Sequence, residues 1–438
     1  MARGRQYEPL NVYLNSRLVG QIRRQASGAI QFQYDQSWLE WPSTLPVSLS
    51  LPLREDIYTG EPVVAVFDNL LPDNDSIRRQ IAVRAHARGI DAYSLLTALG
   101  HDCVGALQFL PIGQDPGPAG TVDGMPIEEV EIGAILANLS QAPLGISEDL
   151  SFRISIAGAQ EKTALLLWKG RWHRPYGTTA TTHILKPSIG RTEAGLDLTY
   201  SVENEYFCLQ ILKNLGLPTA KASMATFGER RVLIVERFDR RWTHDGRLLR
   251  LPQEDCCQAH SVLPARRYES QGGPGVETLL RFLRGSDTPA EDQQIFLKAI
   301  LAFWLLGATD GHAKNFSVFL SPGGRYRLTP LYDVLSVQPN VDAGQIAHNR
   351  FRLAMAVGDN QRSVIGRVTP RHFLETAARA GVGFGTCLNV INQLRDTTSA
   401  AVDSALANLP ASFPAYLANS IQLGVTKRLH ILQTQDAV

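Results

Sequence analysis

The chain has 438 residues, too many for one compact core, so two or three domains are expected. Its composition, 44% hydrophobic and 19% charged, is that of an ordinary soluble globular protein. With 43 Lys+Arg against 42 Asp+Glu, the net charge of +1 argues against a chain that coats nucleic acid or anionic membrane by charge alone.

The five cysteines (Cys103, Cys208, Cys256, Cys257, Cys387) form no C-x-x-C pair, which argues against a disulfide framework or a zinc knuckle and fits reduced cytosolic thiols. The start, "MARGRQYEPLNVYLN", lacks the apolar region of a signal peptide. The most apolar run, "AILAFWLLGA" (299–308), is far short of the ~18–20 residues that span a bilayer. A soluble, cytoplasmic chain without membrane contact is expected.

Taken in order, residues 10–34 alternate apolar and polar around "NS" and "SG" breaks, predicting a small antiparallel sheet. Residues 67–85, "FDNLLPDNDSIRRQIAVRA", read as a helix. The stretch 112–129 is dense in Gly, Pro and Asp and reads as a linker. Strands are expected near 153–157, 163–168, 182–186 and 230–236, with a helix over 197–215. From about 255 helices dominate, with a Gly-rich break at "SQGGPGVETLL". The expected domains are 1–111, a linker at 112–135, a β-rich lobe at 136–254 and a helical lobe at 255–438, a two-lobed α+β arrangement.

One helix has a readable start and stop. Thr288-Pro289-Ala290-Glu291 has the form of a capping box with proline at N1, and Gly307 is a natural C-terminal stop. A rigid apolar helix thereby delivers Asp310 to a loop. Asp310 and Asn315, in D-G-H-A-K-N, have the D-x-x-x-x-N spacing of a protein-kinase catalytic loop. There the Asp accepts the attacking hydroxyl's proton and the Asn binds Mg²⁺. A hairpin, "NFSVFL" then "SPGG" then "RYRLTPLY", brings Asp333 back to the end where Asn315 began. Asn and Asp at one end of a hairpin make an oxygen-rich site suited to Mg²⁺ carrying nucleotide phosphates. Between the anchors, Lys314 can meet a γ-phosphate, while His312 has either a site or a structural role.

Upstream, Lys186 ends the strand of "THILK", as a nucleotide-binding lysine does. On the following helix Glu203, Gln210, Lys213 and Asn214 share one face. Glu205 falls opposite, among Val202, Leu209 and Leu212, where a carboxylate needs a partner. Lys186 can supply it, and so can a structural arginine. The loop "SIAGAQEKTALLL" (155–167) can offer backbone N–H groups to phosphates through Ala157, Gly158 and Ala159.

Together "FRISIAGAQEKTALL", "THILK", "VERFDRRW", "LPQEDCCQ", "GATDGHAKNFSVFL" and "RLTPLYDV" resemble the HipA-type serine/threonine kinase toxins of bacterial toxin–antitoxin systems, and "FQYDQSWL", "PVSLSLPL" and "FDNLLPD" extend the likeness toward the N-terminus. The familiar "DFRIS" stands here as Ser151-Phe152-Arg153-Ile154-Ser155. The resemblance implies a protein-kinase-like α+β fold with an N-terminal β-rich subdomain and a largely helical C-terminal lobe. It implies ATP binding by Ala157, Gly158, Ala159, Gln160, Glu161, Lys162, Lys186, Glu236, Arg237, Phe238, His312, Ala313, Lys314, Asn315, Tyr332 and Asp333. Asp310 would be the base, Asn315 and Asp333 the Mg²⁺ ligands, Glu205 a structural ion-pair partner, and Ser155 a site of self-inactivating autophosphorylation.

The implied partners are a translation component, notably an aminoacyl-tRNA synthetase, as substrate; a HipB-like helix-turn-helix antitoxin; and operator DNA reached mainly through that antitoxin. Arg78, Arg79, Arg237, Arg240 and Arg241 are basic clusters open to a partner or to DNA backbone, or else solvated and locally paired. Two other readings share these residues: a kinase-fold phosphotransferase acting on a small molecule, and a catalytically dead co-repressor.

Overall fold

The computed structural model describes residues 7–146, 153–158 and 160–434. The chain forms two compact units. The first comprises Met1–Pro187, Ala225–Ala265 and Val318–Arg325; the second comprises Ser188–Met224, Arg266–Ser317 and Tyr326–Val438.

The first unit carries two sheets. One has five strands in the order Tyr58–Thr59, Ile30–Tyr34, Arg17–Arg24, Leu10–Leu14, Leu107–Pro111, and its hairpins are antiparallel as the alternation at 10–34 predicts. Ile30, Phe32 and Tyr34 are buried while Gln31 and Gln33 between them are half-exposed. This is the period-2 pattern of a sheet with one covered face. Phe67 contacts Phe32 and Phe109 at 5.6 and 5.7 Å between ring centroids, joining sheet and helix Glu61–Asp68 in one core.

The helix expected over 67–85 is two helices, Glu61–Asp68 and Asp75–Arg84. Pro72 interrupts the ladder between them, and Asn74 restarts it by accepting from the N–H groups of Ser76 and Ile77.

The second sheet runs Ala222–Phe227, Arg230–Glu236, His183–Pro187, Thr163–Trp168, Arg171–Pro175, Gly124–Pro126. The stretch 112–135, expected as a linker, therefore contributes a strand and the start of helix Glu129–Ala137. That helix lays Ile132 and Leu136 on Leu165, Leu185, Val232 and Ile234. The strand expected near 153–157 is not part of a sheet. Ile154 makes only an isolated bridge to Asp102, and Ser151 and Phe152 lie outside the described residues.

A five-charge network sits inside this unit. Asp102 meets Arg240 at 2.8 Å, Arg250 at 3.1 Å and Arg237 at 3.3 Å, and Asp239 meets Arg237 at 2.8 Å. The side chains are 2–4% exposed. Thr181 donates its N–H and hydroxyl to Asp102, and the Cys103 carbonyl accepts from Arg237 and Arg240. Residues 101–105, inside the expected N-terminal domain, are thus bonded to residues 181 and 237–250.

Nearby, Glu254 is buried; its Oε1 accepts the Leu49 N–H at 2.8 Å and its Oε2 has no partner among the described residues. Burial pushes its carboxyl up to about 8, against the lowering effect of the Leu49 N–H. Between its ordinary value and about 8 the folded chain holds a proton that the unfolded chain has released. This contribution is full below pH ~4.5 and is lost as the pH rises through about 8. Glu254→Gln keeps the acceptor and removes the titration. Its melting temperature should match wild type near pH 5 and exceed it increasingly toward pH ~8, by several kcal/mol of stability at most. Parallel pH profiles of the two proteins would contradict this.

The second unit is helical: Ser201–Asn214, Val276–Leu283, Pro289–Leu306, Pro370–Arg379, Phe384–Ala407 and Ala415–Thr434. Its centre is Pro289–Leu306, with Phe296, Leu297, Leu301 and Trp304 fully buried. Gly307 closes this helix in the left-handed conformation (φ 67°) as expected. The expected capping box does not form: Thr288 occupies the N-cap, but its hydroxyl is buried with no hydrogen-bond partner among the described residues. On Ser201–Asn214 the expected division of faces holds for Glu205, which is buried, and fails for Glu203, which is buried as well. The start of this helix is covered more widely than its polar pattern predicts, and the buried Asn204 exchanges two hydrogen bonds with the backbone of Ser336.

Candidate active site

The residues singled out in the sequence fall into both units. In the first, Lys186 is 7% exposed on a central strand, opposite Leu233 in the register. The loop before that sheet is fastened from several sides. Gln160 donates to the Pro187 carbonyl (2.9 Å), Lys162 donates to the Ala157 carbonyl (2.8 Å), and the Gly158 carbonyl accepts from Asp73 N–H (3.3 Å). Gly158 has φ +106°, and a Cβ there would lie 2.6 Å from Lys162 Nζ. Ala159 lies outside the described residues.

Ser155 is fully buried; its hydroxyl donates to the Leu70 carbonyl at 2.8 Å and its N–H to the Asp102 carbonyl at 2.9 Å. Glu236 ends its strand exposed, and Phe238 packs edge-to-face on Phe319.

Arg237 needs correcting. Its guanidinium belongs to the buried network and its N–H donates to the Thr182 carbonyl, so its side chain holds the fold rather than a ligand. Arg240 is likewise buried there, and Arg78 is buried against Asp68 at 2.8 Å. These three are therefore not surface cations; Arg79 and Arg241 are exposed.

In the second unit the loop after Gly307 passes over the Phe303 ring, and Gly311 stands where any Cβ would strike it. Residues Ala313–Asn315 then form one tight turn: the Asn315 N–H donates to the His312 carbonyl (2.9 Å) and Asn315 Nδ2 to the Asp310 carbonyl (2.8 Å). With Nδ2 so used, Oδ1 is the Asn315 atom left to face a cation. The hairpin forms as expected, with strands Ser317–Ser321 and Arg325–Leu328. Its return is fixed by Tyr332, whose hydroxyl meets Ser317 Oγ (2.6 Å) and donates to the Lys314 carbonyl (3.1 Å). Asp333 follows in the left-handed region at φ 59°, unusual for a non-glycine residue.

The charges of Asp310 and Asp333 act on each other. Asp310 keeps 58% of its side chain exposed. Even so, the protein around it raises its carboxyl above the ordinary value; Asp333 adds to this, while His312, Tyr268 and Arg267 oppose it. His312 is 5% exposed and burial holds it below its ordinary value.

Two residues the sequence did not mark belong here. Tyr268 donates its hydroxyl to Asp310 Oδ1, and Arg267 Nε donates to His312 Nε2 at 3.0 Å. The only hint was the Gly-rich segment after them, which reads as a loop and not as a site.

Asp310 and Asn315 thus stand on one fixed turn, with a lysine and a histidine between, and the charge of Asp333 is felt at Asp310. Such a set of groups is able to serve phosphoryl transfer. Comparison with known proteins accords with it. Residues 10–110 match the HipA N-terminal domain and residues 154–404 the HipA-like C-terminal domain. The chain is 35% identical over 404 residues, 91% of both chains, to a Sinorhizobium fredii protein named "Putative kinase Y4mE". It is 28% identical to the serine/threonine-protein kinase toxin HipA of Shewanella oneidensis, over 80% of this chain and 78% of that one.

A solved Shewanella oneidensis structure of HipA, HipB and operator DNA contains a chain of the same fold. Its TM-score is 0.79 at 24% identity, over 97% of this chain and 98% of that one. The chain belongs to the HipA family, whose relatives are named as kinases.

Proposed function

We propose that this chain is an ATP-dependent serine/threonine-protein kinase toxin that phosphorylates a translation component, an aminoacyl-tRNA synthetase being the expected target. The observation that carries the reading is the fixed turn holding Asp310 and Asn315, with Asp333 returned beside it by the hairpin. Asp310 takes the proton of the attacking hydroxyl as its oxygen bonds the γ-phosphorus, the bond to the β-phosphate oxygen breaks, and ADP leaves.

Asn315 Oδ1 and the Asp333 carboxylate suit Mg²⁺, which takes one or two protein oxygens and the nucleotide's phosphates. That ion would neutralise charge on the transferring group. Lys186 is proposed to hold phosphate oxygens, and Glu205 to serve as a structural ion-pair residue. The loop Ala157–Lys162, Glu236, the backbone at 237, Phe238, His312, Ala313, Lys314 and Tyr332 complete the nucleotide's contacts. Among the described residues no helix is long and apolar enough to cross a membrane, and a cytoplasmic location accords with the proposed target.

Gly158→Ala tests the loop. A side chain at φ +106° costs about 1–3 kcal/mol and crowds Lys162. The Kd for Mg²⁺-ATP should rise roughly tenfold or more, and an unchanged Kd would remove the loop from the nucleotide site.

Self-inactivation through Ser155 belongs to the same proposal, and the buried setting of Ser155 supplies a physical reason for it. Its hydroxyl points at the Leu70 carbonyl. A phosphoserine brings about −1.5 to −2 charge to a buried position lined by that oxygen, so the loop must leave its place to carry one. The antitoxin partner, with DNA reached through it, is proposed by analogy with the Shewanella relative solved with HipB and operator DNA.

The test is incubation of the purified chain with Mg²⁺-ATP and each host aminoacyl-tRNA synthetase, mapping phosphoserine by mass spectrometry. Phosphate on one synthetase supports the reading. ATP consumed only with a small-molecule alcohol would make the chain a small-molecule phosphotransferase, and no ATP binding would leave a dead co-repressor.

A further inference from the structure

On the histidine of the turn, a neighbour decides which ring nitrogen carries the proton. Arg267 has no acceptor atom, so its Nε–H donates to His312 Nε2 at 3.0 Å and the ring's proton lies on Nδ1. His312 is 5% exposed, and its Nδ1 has no hydrogen-bond partner among the described residues. A buried N–H donor without an acceptor is costly, so the Arg267 contact must hold the ring in this form against that cost. Next to it, Tyr268 donates to one oxygen of Asp310, Oδ1, and its ring meets the His312 ring edge-on at 4.7 Å. One tyrosine therefore touches both side chains, and the preceding arginine sets the proton of one.

The segment that carries them is built to stay in place. The N–H groups of Gln271 and Gly273 both donate to the Tyr268 carbonyl at 2.9 Å. The Glu269 carboxylate accepts the Ala356 N–H from strand Arg352–Val357. A Cβ at Gly273 would overlap the backbone of Arg266 and Arg267, and one at Gly275 would overlap the Glu269 carboxylate. Glycine at these positions lets the loop close on itself.

We propose that Arg267 and Tyr268 are positioning residues for phosphoryl transfer, acting through His312 and Asp310 respectively. This rests on the reading of Asp310 as the base. Arg267 fixes His312 as the Nδ1–H tautomer, so that its bare Nε2, 3.9 Å from Asp310 Oδ1, leaves that oxygen to Tyr268. Tyr268 anchors Oδ1 of Asp310, so Oδ2 receives the proton of the acceptor hydroxyl. In that step the hydroxyl oxygen bonds the γ-phosphorus, the bond to the β-phosphate oxygen breaks, and the electron pair leaves with ADP.

The tautomer is directly observable. In the full chain with ¹⁵N-labelled histidine, His312 is assigned by the signals missing from His312→Gln. Wild type should show a protonated Nδ1 and a bare Nε2, and Arg267→Ala should show the Nε2–H form appearing. An Nε2–H ring in wild type, or no change in Arg267→Ala, would overturn the role of Arg267.

Tyr268→Phe keeps the ring against His312 and removes only the hydroxyl. Its rate of phosphate incorporation at saturating Mg²⁺-ATP should fall about tenfold or more, as misplacement of a reacting group does, with ATP affinity within about twofold of wild type. A wild-type rate, or a loss appearing only in ATP affinity, would overturn the role of Tyr268. If Asp310→Asn transfers phosphate at the full rate, the base assignment fails and the Tyr268 role with it, whereas the His312 tautomer result stands by itself.

Discussion

Asp102→Ala should be the most destabilising single substitution in the first unit, by about 3–5 kcal/mol, the range for removing one partner of a buried ion pair. The wild-type cluster holds three arginines and two aspartates at 2–4% exposure. Without Asp102, three guanidinium groups share Asp239 and a few carbonyls. The Thr181 N–H and hydroxyl also lose their acceptor, and unpaired buried donors carry their full desolvation cost.

The arginines hold the Asp102 carboxyl well below its ordinary value even though burial alone would raise it. Its stabilising share is therefore complete above the ordinary carboxylate range and is lost only as the pH falls below it. Thermal unfolding of Asp102→Ala should show a large drop in melting temperature or no folded protein. Arg79→Ala, at an exposed pair 3.9 Å from Asp75, should stay within about 0.5 kcal/mol of wild type. Equal stability of the two variants would contradict the role given to the network.

Asp310→Asn should remove at least about 10²–10⁴-fold of the phosphoryl-transfer rate, the contribution of a positioned general base. Asparagine preserves the shape and can still take the Tyr268 hydrogen bond, so the turn held by Asn315 to the residue 310 carbonyl should persist. What it lacks is a basic oxygen. Mg²⁺-ATP affinity and melting temperature should therefore change little while the rate collapses. A rate within a few-fold of wild type would mean that the acceptor loses its proton elsewhere.

The two ends of the account were legible to different degrees. The turn at 310–315 and its hairpin could be read because their signals are local: a glycine that ends a helix, a fixed D-x-x-x-x-N spacing, and a turn of Pro and Gly between two alternating strands. The strand at 230–236 and the burial of Glu205 came from periodicity in the same way. Where the reading failed, the deciding contact was distant in sequence. Arg237 and Arg240 read as surface cations or hinge because their partner Asp102 lies more than 130 residues away.

The linker reading of 112–135 weighted its glycines and prolines over the apolar spacing of Ile127, Ile132, Leu136 and Leu139, which mark a helix covering a sheet. That helix's start was also available, since the Glu128 N–H donates to the Glu131 carboxylate. Thr288 shows the reverse, a capping pattern present in sequence but with its hydroxyl unbonded. Arg267 and Tyr268 had no local signal, because a loop residue's reach to Asp310, 42 positions beyond Tyr268, is set by the fold.

The most direct test of the central claim is intact-mass spectrometry of the purified chain before and after incubation with Mg²⁺ and ATP, beside Asp310→Asn, with peptide mapping of any added phosphate. The account predicts phosphate on wild type, mapped to Ser155, and none on the variant. Starting from unmodified protein, equal phosphate on both chains, or none on either, would contradict the claim that this chain is a self-phosphorylating kinase acting through Asp310.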